Sequence, residues 1–252
     1  MKVSYDFSHR TVWVAGAASG IGRAVALACL DVGAEVVAAD IDEAGLQALR
    51  TQCSKGALER LHTELLDLSD AQAVQKLVDA TVARTGRLDA AVLTCAIQKR
   101  VPIDEMDIAL WQRHLDVNLS GVFYALRALF PVMKRQRSGS ILAFTSGLAQ
   151  NGWPGAAAYA STKAGLIGLV KSAAHELRPY GVRINAVSPG LVATPVFLAS
   201  ASAEEVAMYE KSLGVSQPED VVDTLMHLIS DGARSLSGNV VERRLIPQGG
   251  EH

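Results

Sequence analysis

Thr11-Val-Trp-Val-Ala15-Gly16-Ala-Ala-Ser19-Gly20-Ile21-Gly22 is the stretch on which the fold turns. Its first five residues are apolar or β-branched and predict a buried strand, Thr11–Ala15. Beyond it Ile21, Ala24, Val25 and Ala28 recur at helical spacing, which predicts a helix over Ile21–Leu30. The glycines stand between the two. Gly16 permits a tight turn, Gly20 lets backbone approach a pyrophosphate, and Gly22 lets the helix pack closely on the strand. A helix start leaves N–H groups unpaired and carries positive dipole, so the loop from Gly16 through Ser19 and Ile21 is a candidate phosphate cradle.

The same alternation continues outward. Glu35–Ala39, Leu61–Leu66, Leu88–Thr94, Ser140–Thr145 and Val182–Val187 read as strands, and a last strand starts at Val240. Asp42–Thr51, Ala71–Arg84, Asp107–Val117, Leu119–Arg135 and Ala157–Leu177 read as the helices between them. The strands are mostly apolar, as expected when helices cover both faces of a parallel sheet. The expected class is α/β: residues 1–252 as one domain, a single doubly wound parallel sheet with helices on both faces. Asp42 and Asp70 fall at helix starts, and Gly86 and Gly181 just past helix ends. Residues 195–217 are the least regular, with one weak helix at Ala203–Leu213. Following a strand's carboxyl end, they are expected to form a lid over the ligand crevice.

Composition narrows the partners. The 252 residues are 49% hydrophobic and 20% charged, with a formal net charge of −2 and both signs interspersed. No basic stripe invites nucleic acid, and no run of about 18 apolar residues exists to enter a membrane. Met1–Arg10 is charged and does not read as a signal peptide. Cys29, Cys53 and Cys95 lack CxxC spacing, which fits free thiols in a reducing cytoplasm. The histidines have no HExxH spacing, so no metal is expected.

Two features point to chemistry. Asp40 ends the second strand, 18 residues past Gly22, where a carboxylate can bind ribose hydroxyls. A 2′-phosphate there would meet like charge, and no Arg or Lys lies in the glycine loop or directly after Asp40; NAD is favoured over NADP. Tyr159 and Lys163 lie four apart on one helix face. A neighbouring ammonium favours phenolate and should lower the tyrosine from about 10, so that it exchanges a proton with an alcohol or ketone.

These features stand beside Asp67-Leu68 after the third strand, Asp116-Val-Asn118-Leu, Ser146 thirteen residues before Tyr159, and Asn185-Ala-Val-Ser-Pro189-Gly190. In that order and spacing the chain resembles the short-chain dehydrogenase/reductase family, from the first strand to the end, and with it the Rossmann fold. The resemblance implies an NAD(H)-dependent oxidoreductase that interconverts a secondary alcohol and a ketone. It implies Tyr159 as acid/base, Lys163 holding the nicotinamide ribose, Ser146 bonding the substrate oxygen and Asn118 anchoring a proton-relay water. Asp67 and Leu68 would flank the adenine, backbone at Cys95 would meet the adenosine ribose, and Val192 and Thr194 the carboxamide. It also implies a homotetramer joined through the helix carrying Ala160, Ala164, Gly165 and Gly168. Alternatives are an NADP-dependent 3-oxoacyl reductase and a non-catalytic dinucleotide-binding protein on the same fold.

Three places depart from the family pattern. Ala15 replaces the threonine before the first glycine, Thr94-Cys-Ala-Ile97 replaces Asn-Asn-Ala-Gly, and the ending Val240–Gly250 is unusually charged. The first two predict a weakened grip on the cofactor; in the ending, Glu242, Arg243 and Arg244 read as a solvated edge or an altered subunit contact. The substrate pocket is expected from Cys95–Ile103, Gly147–Ala156 and Leu191–Val215, with Trp153 and Phe197 suggesting an apolar or aromatic body. Lys99 and Arg100 read as a solvated loop.

Overall fold

The computed structural model describes residues 4–212 and 214–243. In it β1 (Thr11–Ala15) is followed by α1 (Gly20–Asp31), β2 (Glu35–Asp40), α2 (Glu43–Gln52), a single turn α3 (Lys55–Leu58), β3 (Leu61–Leu65), α4 (Ala71–Thr85) and β4 (Ala90–Leu93). The second half runs α5 (Ile108–Leu115), α6 (Gly121–Gln136), β5 (Gly139–Phe144), α7 (Leu148–Asn151), α8 (Ala157–Leu177), β6 (Val182–Ser188), α9 (Pro195–Ser200), α10 (Ala203–Ser212), α11 (Glu219–Ile229) and β7 (Val240–Glu242). The seven strands form one sheet in the order β3-β2-β1-β4-β5-β6-β7, with parallel pairing throughout. The chain winds outward from β1 to β3, then returns to β4 and winds the other way. The crevice opens at the carboxyl ends, where β1 and β4 diverge into oppositely directed connections.

Strand periodicity places the core. Val12 and Val14 join the apolar layer beneath α1, α2 and α11, whereas Trp13 and Ala15 face the layer of α4, α6 and α8. Every position of β1 is buried. The punctuation is as read. Asp42 Oδ1 accepts Gly45 N at 3.0 Å, and Asp70 Oδ1 accepts Gln72 N and Ala73 N at 2.9 and 3.0 Å. Gly86 ends α4, and Gly181 the short turn after α8, in the left-handed region at φ +76° and +70°.

The short helices α3, α7 and α9 were not expected, and three larger differences bear on the core and the crevice. Helix α11 was not anticipated, although Val221, Leu225, Leu228 and Ile229 recur on one face and are buried. Of Leu88–Thr94 only Ala90–Leu93 pairs as β4, because Thr94 already turns over the end of β1. Between α5 and α6 the chain makes a π-helical turn, Asp116–Ser120, within which Asn118 is completely buried. The charged ending forms β7 through Glu242; Leu213 and residues 244–252, including Gly249 and Gly250, lie outside the described residues. No helix among the described residues is long and apolar enough to cross a membrane.

Candidate active site

The glycine turn is held by β2: Gly16 N and Ala17 N both donate to Ala39 O, at 2.8 and 3.2 Å. Gly16 sits at φ +86°, and a Cβ on it would lie 2.4 Å from Thr94 Oγ1. A Cβ on Gly22 would lie 2.0 Å from Gly16 O, so only glycine lets α1 start this close to the turn. Ser19 is the N-cap of α1 and makes no capping bond with its side chain. The first N–H groups of this 12-residue helix are therefore left for an anion. A side chain would fill the cradle; a pyrophosphate fits it.

Asp40 stands at the rim. Its Oδ2 accepts Ala18 N at 3.0 Å and its Oδ1 accepts Asp42 N at 3.1 Å, which fixes the carboxylate and leaves lone pairs for two hydroxyls. The nearby Arg23 is engaged with Ala18 O and with Gly45 O, the latter at 3.3 Å. Ile41, 61% exposed, lines the crevice beside Asp40. Next along the rim, Asp67 accepts from Ser69 N and Oγ at 2.9 and 2.6 Å and from Arg113 Nη2 at 3.0 Å. Burial raises the Asp67 carboxyl, but these bonds outweigh it and hold it below the usual range. Sequence reasoning missed Arg113, which reaches Asp67 from α5.

One crevice of about 340 Å³ joins these groups to the far end. The cradle residues Gly16, Ser19, Gly20, Ile21 and Gly22 line it, followed by Asp40, Asp67, Leu68 and Cys95. Ser146, Tyr159 and Lys163 line the other end together with Val192 and Thr194. A Cβ on Gly20 would touch Thr194 Cγ2 at 3.0 Å, so the loops after β1 and β6 meet directly. Of the catalytic and cofactor-binding residues expected at the site, only Asn118 does not line this crevice. It lies behind the wall: Oδ1 accepts Ile97 N at 2.8 Å, and Nδ2 donates to Ile97 O at 2.9 Å and Thr162 Oγ1 at 3.3 Å. Its side chain thus ties the segment after β4 to α8.

Ser146 follows β5; Tyr159 and Lys163 project from α8. Lys163 Nζ donates to Phe144 O at 2.7 Å and lies 5.5 Å from the centre of the Tyr159 ring. Burial lowers Lys163 from 10.5 to about 8, and raises Tyr159 from 10.0 to about 12 against the opposing pull of a hydrogen bond with Ser146. The expected lowering of the tyrosine is therefore corrected. An amine that loses its proton near pH 8 is already neutral where the phenol would ionise, so desolvation dominates. Burial likewise pushes the Cys95 thiol up to about 12 and keeps it a neutral, inert side chain.

Residues 192–216 close on themselves. Val192 pairs with Ser216; Ala193 N donates to Ser216 O and Ser216 N to Leu191 O, each at 2.9 Å. Helix α10 is clasped to the body through Arg100 Nη1, which donates to both Glu205 oxygens at 2.7 and 2.8 Å. Arg100 is only 17% exposed, which corrects the solvated-loop reading for that residue, while Lys99 is exposed. Tyr209 on α10 packs at 6.2 Å against both Trp153 and Phe197. Trp153 serves this clasp, whereas Phe197 and Tyr209 line the crevice with Ile97, Leu148, Leu191 and Val196. Tyr209 carried no signal in the sequence beyond a weak helix.

Comparison with known proteins agrees with this geometry. A family model described as enoyl-(acyl carrier protein) reductase matches residues 16–242. The 3-oxoacyl-acyl-carrier-protein reductase FabG of Thermotoga maritima is 34% identical over 230 residues, covering 90% of this chain and 93% of that one. Levodione reductase of Leifsonia aquatica is 30% identical over 247 residues, covering 93% and 92%. A crystal structure of levodione reductase superposes with a TM-score of 0.86 at 29% identity, covering 94% of this chain and 97% of that one. With the doubly wound sheet, the glycine cradle and the Tyr159–Lys163 pair all in place, the chain belongs to the short-chain dehydrogenase/reductase family of nicotinamide-dinucleotide-dependent oxidoreductases.

Proposed function

We propose that this chain is an NAD(H)-dependent oxidoreductase that interconverts a secondary alcohol and its ketone, with Tyr159 as the acid/base. The carrying observation is the half-buried Tyr159 and the buried Lys163 beside Ser146 at one end of a crevice whose other end is rimmed by Asp40. The α1 N–H groups hold the pyrophosphate, Asp40 the adenosine ribose, Asp67 and Leu68 the adenine with backbone at Cys95. Val192 and Thr194 hold the carboxamide. When bound, the nicotinamide supplies or accepts the hydride.

The chain's own residues move the proton. In reduction the Tyr159 hydroxyl, protonated at neutral pH, gives its proton to the carbonyl oxygen as charge develops there. Ser146 Oγ, which already accepts Leu148 N at 3.2 Å, turns its own hydrogen to the same oxygen. In oxidation Tyr159 takes the alcohol's proton and passes one to the neutral Lys163 amine. Asn118 holds the backbone at Ile97 that the relay water would use. The pair first loses a proton near pH 8, from Lys163. We therefore expect kcat/KM for alcohol oxidation to rise about tenfold per pH unit up to about pH 8 and then level, while reduction falls above it. A flat oxidation profile between pH 6 and 10 overturns this assignment.

Asp40 and the apolar Ile41 support NAD. The carrier-linked names of the similar reductases favour the NADP-dependent 3-oxoacyl reading instead. Steady-state kinetics with NADH and NADPH over a panel of ketones decides: a higher kcat/KM with NADPH overturns the NAD assignment. The apolar wall of Ile97, Leu148, Val196 and Phe197 supports a substrate with an apolar body. Residues 195–217 act as its lid within a single domain. Glu205→Ala is expected to raise the substrate KM about fivefold, near 1 kcal/mol, with kcat within twofold, because the clasp stabilises only the closed lid. A drop in kcat without a change in KM refutes that role. We place the enzyme in the cytoplasm on its three free cysteines. A homotetramer is supported by the exposed Ala164 and Gly168 on α8 and the half-exposed Phe123 on α6. A monomer mass by light scattering at micromolar concentration excludes that assembly.

A further inference from the structure

The two sequence departures at Ala15 and Thr94 meet in space. Parallel register sets Ala15 beside Leu93, so Thr94 stands one step further, over the glycine turn. Thr94 N donates to Ala15 O at 2.9 Å, and Thr94 Oγ1 donates to the same oxygen at 2.8 Å while lying 3.3 Å from Gly16 O. The hydroxyl also occupies the gap between the two essential glycines: a Cβ would approach it to 2.4 Å from Gly16 and 2.7 Å from Gly22. We infer that Thr94 is a positioning residue for the dinucleotide cradle, supplying from β4 the hydroxyl that Ala15 cannot supply from β1.

The physical argument concerns peptide planes. Gly16 at φ +86° has no side chain to restrict the plane between Gly16 and Ala17, and Ala39 O holds that plane from its N–H side only, through Ala17 N at 3.2 Å. The Thr94 hydroxyl adds a hold from the carbonyl side, its hydrogen directed mainly to Ala15 O and shared at longer range with Gly16 O, and so steadies the direction of the N–H groups that follow. The same short segment is tied at its other end, where Asn118 grips both Ile97 N and Ile97 O and reaches Thr162 on α8. Residues 94–97 therefore link the cradle to the catalytic helix, and the Thr94 end acts on the cradle. Cofactor affinity should depend on this hydroxyl, while Tyr159 and Lys163, held by α8 and Phe144 O, should not. The expected weakening of the cofactor grip by Ala15 is thus offset within the chain.

The inference rests on the dinucleotide reading of the cradle, and the test separates the two. NADH is titrated into the wild type and into Thr94→Val, Thr94→Ser and Thr94→Ala, followed by fluorescence, with kcat measured at saturating cofactor. Thr94→Val and Thr94→Ala should bind NADH about five- to tenfold more weakly with kcat within twofold, the loss of one hydrogen bond, and Thr94→Ser should stay within twofold of wild type. Equal weakening in the valine and serine variants, or affinity within twofold in both the valine and alanine variants, overturns the inference. A wild type that binds NADH, offered alongside NADPH, leaves the cradle reading standing in either case. A wild type that binds neither overturns that reading and this inference together.

Discussion

Replacing Tyr159 by phenylalanine is expected to lower kcat by about three orders of magnitude while leaving NADH affinity within about twofold. The ring keeps its place in the wall of the crevice, and Lys163 keeps its bond to Phe144 O, so the cofactor end is untouched. What disappears is the single hydroxyl that burial has pushed up to about 12, a donor fully protonated at working pH. Ser146 cannot replace it as an acid: an aliphatic hydroxyl stabilises charge by hydrogen bonding but holds its proton too tightly to release it. Stopped-flow reduction of a ketone by NADH measures the chemical step directly. A variant that retains more than a tenth of the wild-type rate assigns the proton to another donor and ends the Tyr159 mechanism.

The same residues show how far the sequence could be read. The glycine cradle, Asp40 and the Tyr159–Lys163 pair are local patterns: a turn, a strand end and two positions on one helix face, each fixed by spacing along the chain. Their meeting in one crevice follows from the winding of the sheet, which the alternation of elements already implied. The clasp between Arg100 and Glu205 could not be read, because it joins residues 105 apart whose neighbours carry no periodic signal. Nor could the π-helical turn at Asn118, since no residue type marks where an extra residue enters a helical turn. Helix α11 is the opposite case, with a clear apolar face at Val221, Leu225 and Leu228 that went unassigned. The Tyr159 shift was misjudged for a physical reason: spacing reveals that an ammonium is near, whereas desolvation depends on packing from β5, α8 and the lid. Thr94 likewise looked like a loss when read alone, and became a replacement only once β1 and β4 were side by side.

Lys163→Met is expected to abolish turnover and yet make the cofactor-free protein more stable at neutral pH. An ammonium lowered from 10.5 to about 8 carries a native-state penalty of about 3 kcal/mol, fully present below pH 8. Between pH 8 and 10.5 the unfolded chain still holds the proton that the native chain has released. Wild-type stability from this residue therefore rises with pH across that window, and the penalty vanishes above it. Methionine fills a similar volume without a charge, at the cost of the bond to Phe144 O, worth about 1 kcal/mol. The variant should thus exceed the wild type by about 2 kcal/mol at pH 7, and the gap should close or reverse slightly by pH 10.5. Urea unfolding of both proteins at pH 7 and at pH 10.5 reads the difference with every other titrating group held common. A variant less stable than the wild type at pH 7 would mean that the Phe144 carbonyl solvates the ammonium better than burial penalises it. Lys163 would then be a structural cation as well as a catalytic one. A gain at pH 7 instead identifies a group kept in place against stability, as expected for a residue whose value lies in moving a proton.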